Sequence, residues 1–228
     1  MAYLSMSNST QRQQPSRAAR WTAPLSALAV LVVVATALVV WFCSATVVVD
    51  LGKDSDLSQS GLRDSWLKGD VVVMIRHAER CDRSNAACLG SLDGITFQGS
   101  RSALQVGAGL RTLGLAQAQA IASPLTRTRQ TAGFILGRDV STQAWVGACD
   151  SGFRNAVIAH KQPRHNLVLV THSGCMDQFE RTMGVRAGQC SAGYAQAVFV
   201  KANGRQPPQI IGSLDASAWA RLNLAAST

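Results

Sequence analysis

The first 49 residues contain no acidic residue, and from Trp21 to Val49 there is no charge of either sign. That absence excludes an exposed helix for WTAPLSALAVLVVVATALVVWFCSATVVV, since a helix in water needs a polar face. The 6 cysteines form no CxxC pair and, with the histidines, no group of four soft ligands, which argues against zinc. No metal and no cofactor is expected. A nucleotide-type phosphate loop is also missing, because GAGLRTLG (107–114) sits within a helical pattern rather than after a strand.

What is present in the apolar run reads as one membrane span over residues 21–49. Trp21 and Trp41 stand roughly 30 Å apart at helical rise, the separation of the two interfacial aromatic belts. Arg12, Arg17 and Arg20 all precede the run, so residues 1–20 read as a cytoplasmic tail and everything from about residue 50 onward as exported. Cys-Ser-Ala at 43–45 makes a poor cleavage site, which favours an uncleaved anchor over a signal peptide. Residues 50–69 turn small and charged, as a linker would, and the domain proper is expected over 70–214, with a tail over 215–228. The whole chain, 228 residues at 47% hydrophobic, is long enough for one domain with a sizeable core. Its surplus of basic over acidic residues suits an anionic substrate or surface; no nucleic-acid partner is expected.

Along the domain, strand and helix signals alternate. VVVMI (71–75) is a short apolar run; Ala103, Val106, Leu110 and Leu113 recur at helical spacing; AQAIAS (118–123) reads as a strand. TRTRQTAGFILG (126–137) is helical and stopped by Gly137, and residues 151–161 give a third helix with Phe153 and Val157 on one face. LVLVTH (167–172) is a buried strand, 174–183 a helix, and AQAVFVKA and QIIGSL flank Asn203-Gly204, a hairpin signal. The fold class this implies is α/β, a three-layer sandwich with a mostly parallel central sheet and helices on both faces.

In such sheets ligands sit beyond the carboxyl ends of the strands, so the residues following apolar runs are the candidates. VVVMI runs into Arg76 and His77, LVLVT into His172, and Arg127 and Arg129 open the helix after the AQAIAS strand. A guanidinium presents a planar fork of donors to phosphate oxygens, and a neutral imidazole can attack phosphorus. Two histidines and two arginines converging would make a phosphate-handling site.

RHAE after the first strand, SPLTRTRQTA in the middle and VTHSG late in the chain resemble the histidine phosphatase superfamily, over about residues 70–200. RHAERCDRS, a later CL and then GIT, with cysteines at Cys81, Cys88, Cys149 and Cys175, is most similar to the branch that acts on a heptose phosphate of the lipopolysaccharide core. The resemblance implies a phosphoglycerate mutase-like fold and a metal-free phosphomonoesterase. In it His77 is the nucleophile that becomes phosphorylated; Arg76, Arg127 and His172 hold the phosphoryl oxygens, and Arg129 is a secondary contact. It also implies an inner-membrane anchor with the catalytic domain in the periplasm, and a phosphorylated sugar or lipopolysaccharide core as partner. The chain departs from the pattern at the acid that protonates the leaving group: Gly152 stands near the position where a glutamate is expected. Asp150 is the nearest carboxylate and Glu79 the fallback. A Cys81–Cys88 bridge would stiffen CDRSNAAC beside the nucleophile, and of five cysteines outside the apolar run one is left over. Another phosphoester or phosphoprotein as substrate, a mutase, or a phosphate-binding module without catalysis are the rival readings. Specificity is expected in the loops 83–100 and 184–194.

Overall fold

The computed structural model describes residues 22–43, 46–53, 59–187, 189 and 192–219. It divides into two compact units, Met1–Ala45 and Thr46–Thr228. In the first, helix α1 spans Thr22–Cys43 without a charged residue. Side chains are described over 27–38, all exposed; that stretch rises only about 18 Å, and among the described residues no helix is long and apolar enough to cross a membrane. Arg12, Arg17, Arg20 and Trp21, with the rest of the expected tail, lie outside the described residues.

The second unit is built on six strands: β1 (Val71–Arg76), β2 (Ala118–Ala122), β3 (Ser141–Thr142), β4 (Asn166–Thr171), β5 (Ala197–Lys201) and β6 (Gln209–Leu214). They lie in the order β3-β2-β4-β1-β5-β6. The first four are mutually parallel, while β5 runs antiparallel to β1 and to β6. The helices are α2 (Leu62–Leu67), α3 (Phe97–Leu113), α4 (Thr126–Leu136), α5 (Phe153–His160) and α6 (Ser173–Thr182).

β1 and β4 are runs of β-branched and aliphatic residues because both of their faces are covered. Val71, Val73 and Ile75 point to a core shared with α2, α3 and α4, including Trp66, Val106, Leu110 and Ile135. Val72 and Met74 point the other way, onto Phe153 and Val157 of α5 and Met176 and Phe179 of α6. This is the expected three-layer α/β arrangement. Thr96 starts α3 by accepting the Gly99 N–H (2.9 Å), and Gly137 stops α4 in the left-handed conformation (φ 68°) that its missing Cβ permits. The glycines of GAGLRTLG serve helix packing: a Cβ on Gly107 would stand 2.2 Å from the Ile135 carbonyl oxygen, and one on Gly109 2.1 Å from the Trp219 ring.

Two expectations change. Residues 50–69 are not merely a linker, because Leu51, Leu62 and Trp66 are buried in the core. Trp66 donates from Nε1 to the Gly114 carbonyl (2.6 Å), and its own carbonyl accepts from Asn166 Nδ2 (2.8 Å). The segment expected as a tail carries Trp219, fully buried; 220–228 lie outside the described residues. The expected β5–β6 hairpin forms, its loop shaped by Asn203 Oδ1, which accepts the N–H groups of Arg205 and Gln206.

The chain leaves β1 toward β2 on one side and leaves β4 toward β5 on the other. The carboxyl ends of β1 and β4, adjacent and parallel with Arg76 level with Thr171, are therefore a topological switch point, where open sheets leave a crevice. His77 and His172 each follow one of these two strands.

Candidate active site

His77 begins immediately after β1, and its backbone is clamped from two sides. Its N–H donates to the Thr171 carbonyl (2.9 Å) and its carbonyl accepts from Ala195 (3.4 Å). The imidazole is 4% exposed. Its Nδ1 lies 2.8 Å from the Ala78 carbonyl oxygen. A carbonyl can only accept, so Nδ1 carries the proton and Nε2 keeps its lone pair. Burial, above all, pushes the His77 pKa down to about 3, with His172, Arg127 and Arg76 adding to the effect and the Ala78 bond opposing it. The ring is neutral at any ordinary pH, with one defined tautomer.

His172 stands at the start of α6, its ring centroid 5.4 Å from that of His77 in an edge-on arrangement. Its Nε2 shares a hydrogen bond with Ser123 Oγ (2.9 Å), and burial followed by the fields of Arg127, Arg80 and Arg76 lowers its pKa to about 4. Arg127, in the first turn of α4, is coupled to the nucleophile segment through one hydroxyl. Thr131 Oγ1 accepts the Ala78 N–H (2.9 Å) and donates to the Arg127 carbonyl (2.7 Å). Arg76 leaves β1 on the α6 face and donates from Nη1 to the Ala192 carbonyl (2.6 Å).

The Nε atoms of Arg76 and Arg127 are both buried and have no hydrogen-bond partner among the described residues. Burial lowers both guanidinium pKa values, with Arg80 also pressing on Arg127. Two unsatisfied cationic donors and two neutral imidazoles around one point form a receptor for a multiply charged oxyanion, since such an anion would supply the acceptors they lack.

The carboxylates are disposed differently. Glu79 accepts from Ser84 Oγ (3.1 Å) and Thr96 Oγ1 (2.6 Å), one bond to each oxygen, which makes it a staple of the 79–96 loop. Asp150 is exposed and accepts the Gly152 N–H on Oδ1 (2.8 Å). Asp82 pairs with Arg80. Asp177 of α6 was not singled out by the sequence; it is half-buried, one oxygen is buried without a partner among the described residues, and burial raises its pKa against the fields of Arg181 and Arg76. Arg129 is exposed, two residues beyond Arg127 and so about 200° around the helix from it.

Two disulfides brace this edge. Cys81 is joined to Cys88 (Cα–Cα 5.4 Å) and Cys149 to Cys175 (Cα–Cα 4.1 Å). The second ties the Asp150 loop to the first turn of α6, a pairing the spacing did not reveal; Cys190 lies outside the described residues. Ser123, inside the SPLTRTRQTA block, and Tyr194, whose ring centroid lies 4.0 Å from the Arg76 guanidinium carbon, are the site neighbours that sequence reasoning passed over. Among the described residues no three potential ligands are grouped to hold a metal ion. A cleft of about 870 Å³ opens at the opposite ends of the parallel strands, lined by Lys68, Asp70, Arg164 and Arg205 among others; it includes none of the residues above.

No family model matches the chain. It is similar to curated proteins named lipopolysaccharide core heptose(II)-phosphate phosphatase. With that of Escherichia fergusonii it shares 34% identity over 113 residues, 48% of this chain and 58% of that protein. With that of Salmonella typhimurium strain LT2 it shares 34% over 109 residues, 46% and 54%. The chain thus spans a little over half the length of the curated relatives it matches, and they carry the same name as the branch that RHAERCDRS and GIT resemble. Among solved structures, a putative phosphohistidine phosphatase SixA from Agrobacterium tumefaciens overlaps 64% of this chain and 97% of its own at 19% identity and TM-score 0.48. A mycobacterial glucosyl-3-phosphoglycerate phosphatase overlaps 62% and 96% at 15% identity and TM-score 0.48.

Proposed function

We propose that this protein is a phosphomonoesterase that works through a phosphohistidine on His77, with a heptose phosphate of the lipopolysaccharide core as its substrate. The observation that carries the chemistry is the state of His77: a buried, neutral imidazole with Nδ1–H fixed on the Ala78 carbonyl and Nε2 free to attack, beside two guanidinium groups whose Nε atoms have no acceptor among the described residues. Nε2 attacks phosphorus, the bond to the ester oxygen breaks, and that oxygen leaves as an alcohol after taking a proton. Water then attacks the phosphohistidine and releases phosphate. Arg76, Arg127 and His172 hold the phosphoryl oxygens, whose charge grows in the transition state. Asp150 is the candidate donor of the leaving-group proton. The substrate class rests on the name shared by the curated relatives.

The same reading has residues 21–49 anchor the chain in the inner membrane with the domain on the periplasmic side. Its supports are the charge-free run, the three arginines before it and the two disulfides, which persist in oxidising compartments.

His77→Ala should abolish hydrolysis while leaving the fold intact, and rapid quenching with labelled substrate should trap phosphate on the wild-type chain only. A mutant within tenfold of wild type, or a wild-type rate lost to chelators and restored by a metal, would overturn the mechanism.

A further inference from the structure

We infer that Tyr194 is a positioning residue of the phosphate pocket: its ring face holds the Arg76 guanidinium in the orientation that offers Nε to a phosphoryl oxygen. The inference rests on the phosphatase reading above.

Arg76 leaves β1 on the same face as Val72 and Met74 and meets the segment that leads into β5. There the Ala192 carbonyl takes Nη1 at 2.6 Å, and the guanidinium sits over the Tyr194 ring, Cζ 4.0 Å from its centroid. One end and one face of the fork are thereby fixed, while Nε has no hydrogen-bond partner among the described residues. A planar guanidinium stacks on an aromatic face far better than an ammonium would, and stacking removes the rotational freedom of a long side chain. The same ring stands 5.8 Å from His77, so one side chain borders both the nucleophile and the arginine beside it.

The backbone supports this placement. Ala195, the next residue, has φ 55°, a left-handed conformation disfavoured for any residue with a Cβ. It is fully buried and held there by its N–H to the His77 carbonyl (3.4 Å), while the Gln196 carbonyl accepts the Arg76 N–H (3.0 Å). Disfavoured backbone of this kind persists where the surroundings fix it, and it gathers at functional sites. Its effect here is to turn the chain back over Arg76 just before β5 begins. A half-exposed tyrosine in a loop is ordinarily a packing residue. Tyr194 differs in belonging to neither hydrophobic core; its recorded ring partners are a cation and the nucleophile.

The test uses the full chain in detergent and two readouts: inorganic phosphate binding by calorimetry, and kcat and KM for an aryl phosphate. Tyr194→Leu should weaken phosphate binding and kcat/KM by about 3- to 30-fold, with the kinetic loss carried mainly in KM. Tyr194→Phe should recover part of that loss, because it keeps the ring face while removing the hydroxyl that also bonds to Arg76. In an Arg76→Lys background, Tyr194→Leu should change phosphate binding less than about twofold, since the stack it removes is already gone. Should the leucine variant fail to fold, Tyr194→Gln takes its place. Leucine binding phosphate as wild type does, phenylalanine as defective as leucine, or additive effects with Arg76→Lys would each overturn the inference. A wild-type chain that binds phosphate but hydrolyses nothing would sink the phosphatase reading while leaving the binding comparison to decide Tyr194.

Discussion

Acid should destabilise the domain through its site histidines before it titrates most carboxylates. His77 is held at about 3, mainly by burial, against an ordinary value of 6.5. Between those values the unfolded chain binds a proton that the folded chain refuses, so stability rises with pH through that window and is lost as pH falls from about 6.5. Because His77 is only 4% exposed, its contribution approaches about 1.4 kcal/mol per pH unit, roughly 3 kcal/mol by pH 4. His172, held at about 4 by burial and the neighbouring cations but partly exposed, adds less. Asp82, held low first by its bond from Arg80, and Asp93, held low first by Ser91, lose their contribution only further down. Asp177, raised by burial, acts with the opposite sign but equally in wild type and mutant. The assay is urea unfolding from pH 7 to 4.5, followed by the fluorescence of buried Trp66 and Trp219, for wild type and His77→Asn. The substitution should flatten the dependence by about 1 kcal/mol per pH unit. Parallel slopes in the two proteins would refute the claim that His77 is buried and neutral, and with it the reason for calling it a ready nucleophile.

Asp150→Asn should slow a sugar phosphate by roughly 10² to 10⁴ and leave an aryl phosphate nearly unchanged, since a weakly basic leaving oxygen needs no acid; equal losses on both substrates would make Asp150 structural. Glu79→Gln, run beside it, should instead lower stability with no such differential, because its carboxylate staples Ser84 and Thr96. Thr131→Val keeps the shape but leaves the buried Ala78 N–H without its acceptor, which should cost about 1–3 kcal/mol in urea unfolding and about 10- to 100-fold in kcat/KM as the nucleophile segment loses its tie to Arg127. A reporter fused after Thr228 should be active only if exported; a cytoplasmic signal would reject both the anchor orientation and an envelope substrate.

How much of this was legible in the sequence depended on whether a residue's role was local. β1 and β4 were readable because strands covered on both faces must be continuously apolar, and Arg76, His77 and His172 were readable because they break those runs. β3 was invisible: two exposed residues, Ser141 and Thr142, have no pattern to detect. Leu51, Leu62 and Trp66 were read as linker because they are scattered among small and charged residues, and only the folded sheet supplies the surface they cover. Trp219 fills the space over Gly109, a pairing across more than a hundred residues that no local window contains.

The proton donor and Tyr194 escaped for a related reason. A carboxylate's role depends on what already occupies its oxygens: Glu79 is committed to two hydroxyls and Asp150 to a backbone N–H, and neither partner could be read from spacing. Tyr194 reaches Arg76 only because Ala195 adopts a backbone conformation that alanine ordinarily avoids. The nucleophile, by contrast, depends on a sheet edge, and a sheet edge is what hydrophobic pattern announces. Its readiness comes from a contest the scaffold decides in advance. Burial and the cations at 76 and 127 keep the proton off His77, the Ala78 carbonyl fixes the tautomer that remains, and the Thr131 hydroxyl locks Ala78 to the helix that carries Arg127. Each cation kept short of acceptors is an unfavourable feature of the unliganded fold, and an oxyanion bound between them is what would relieve it.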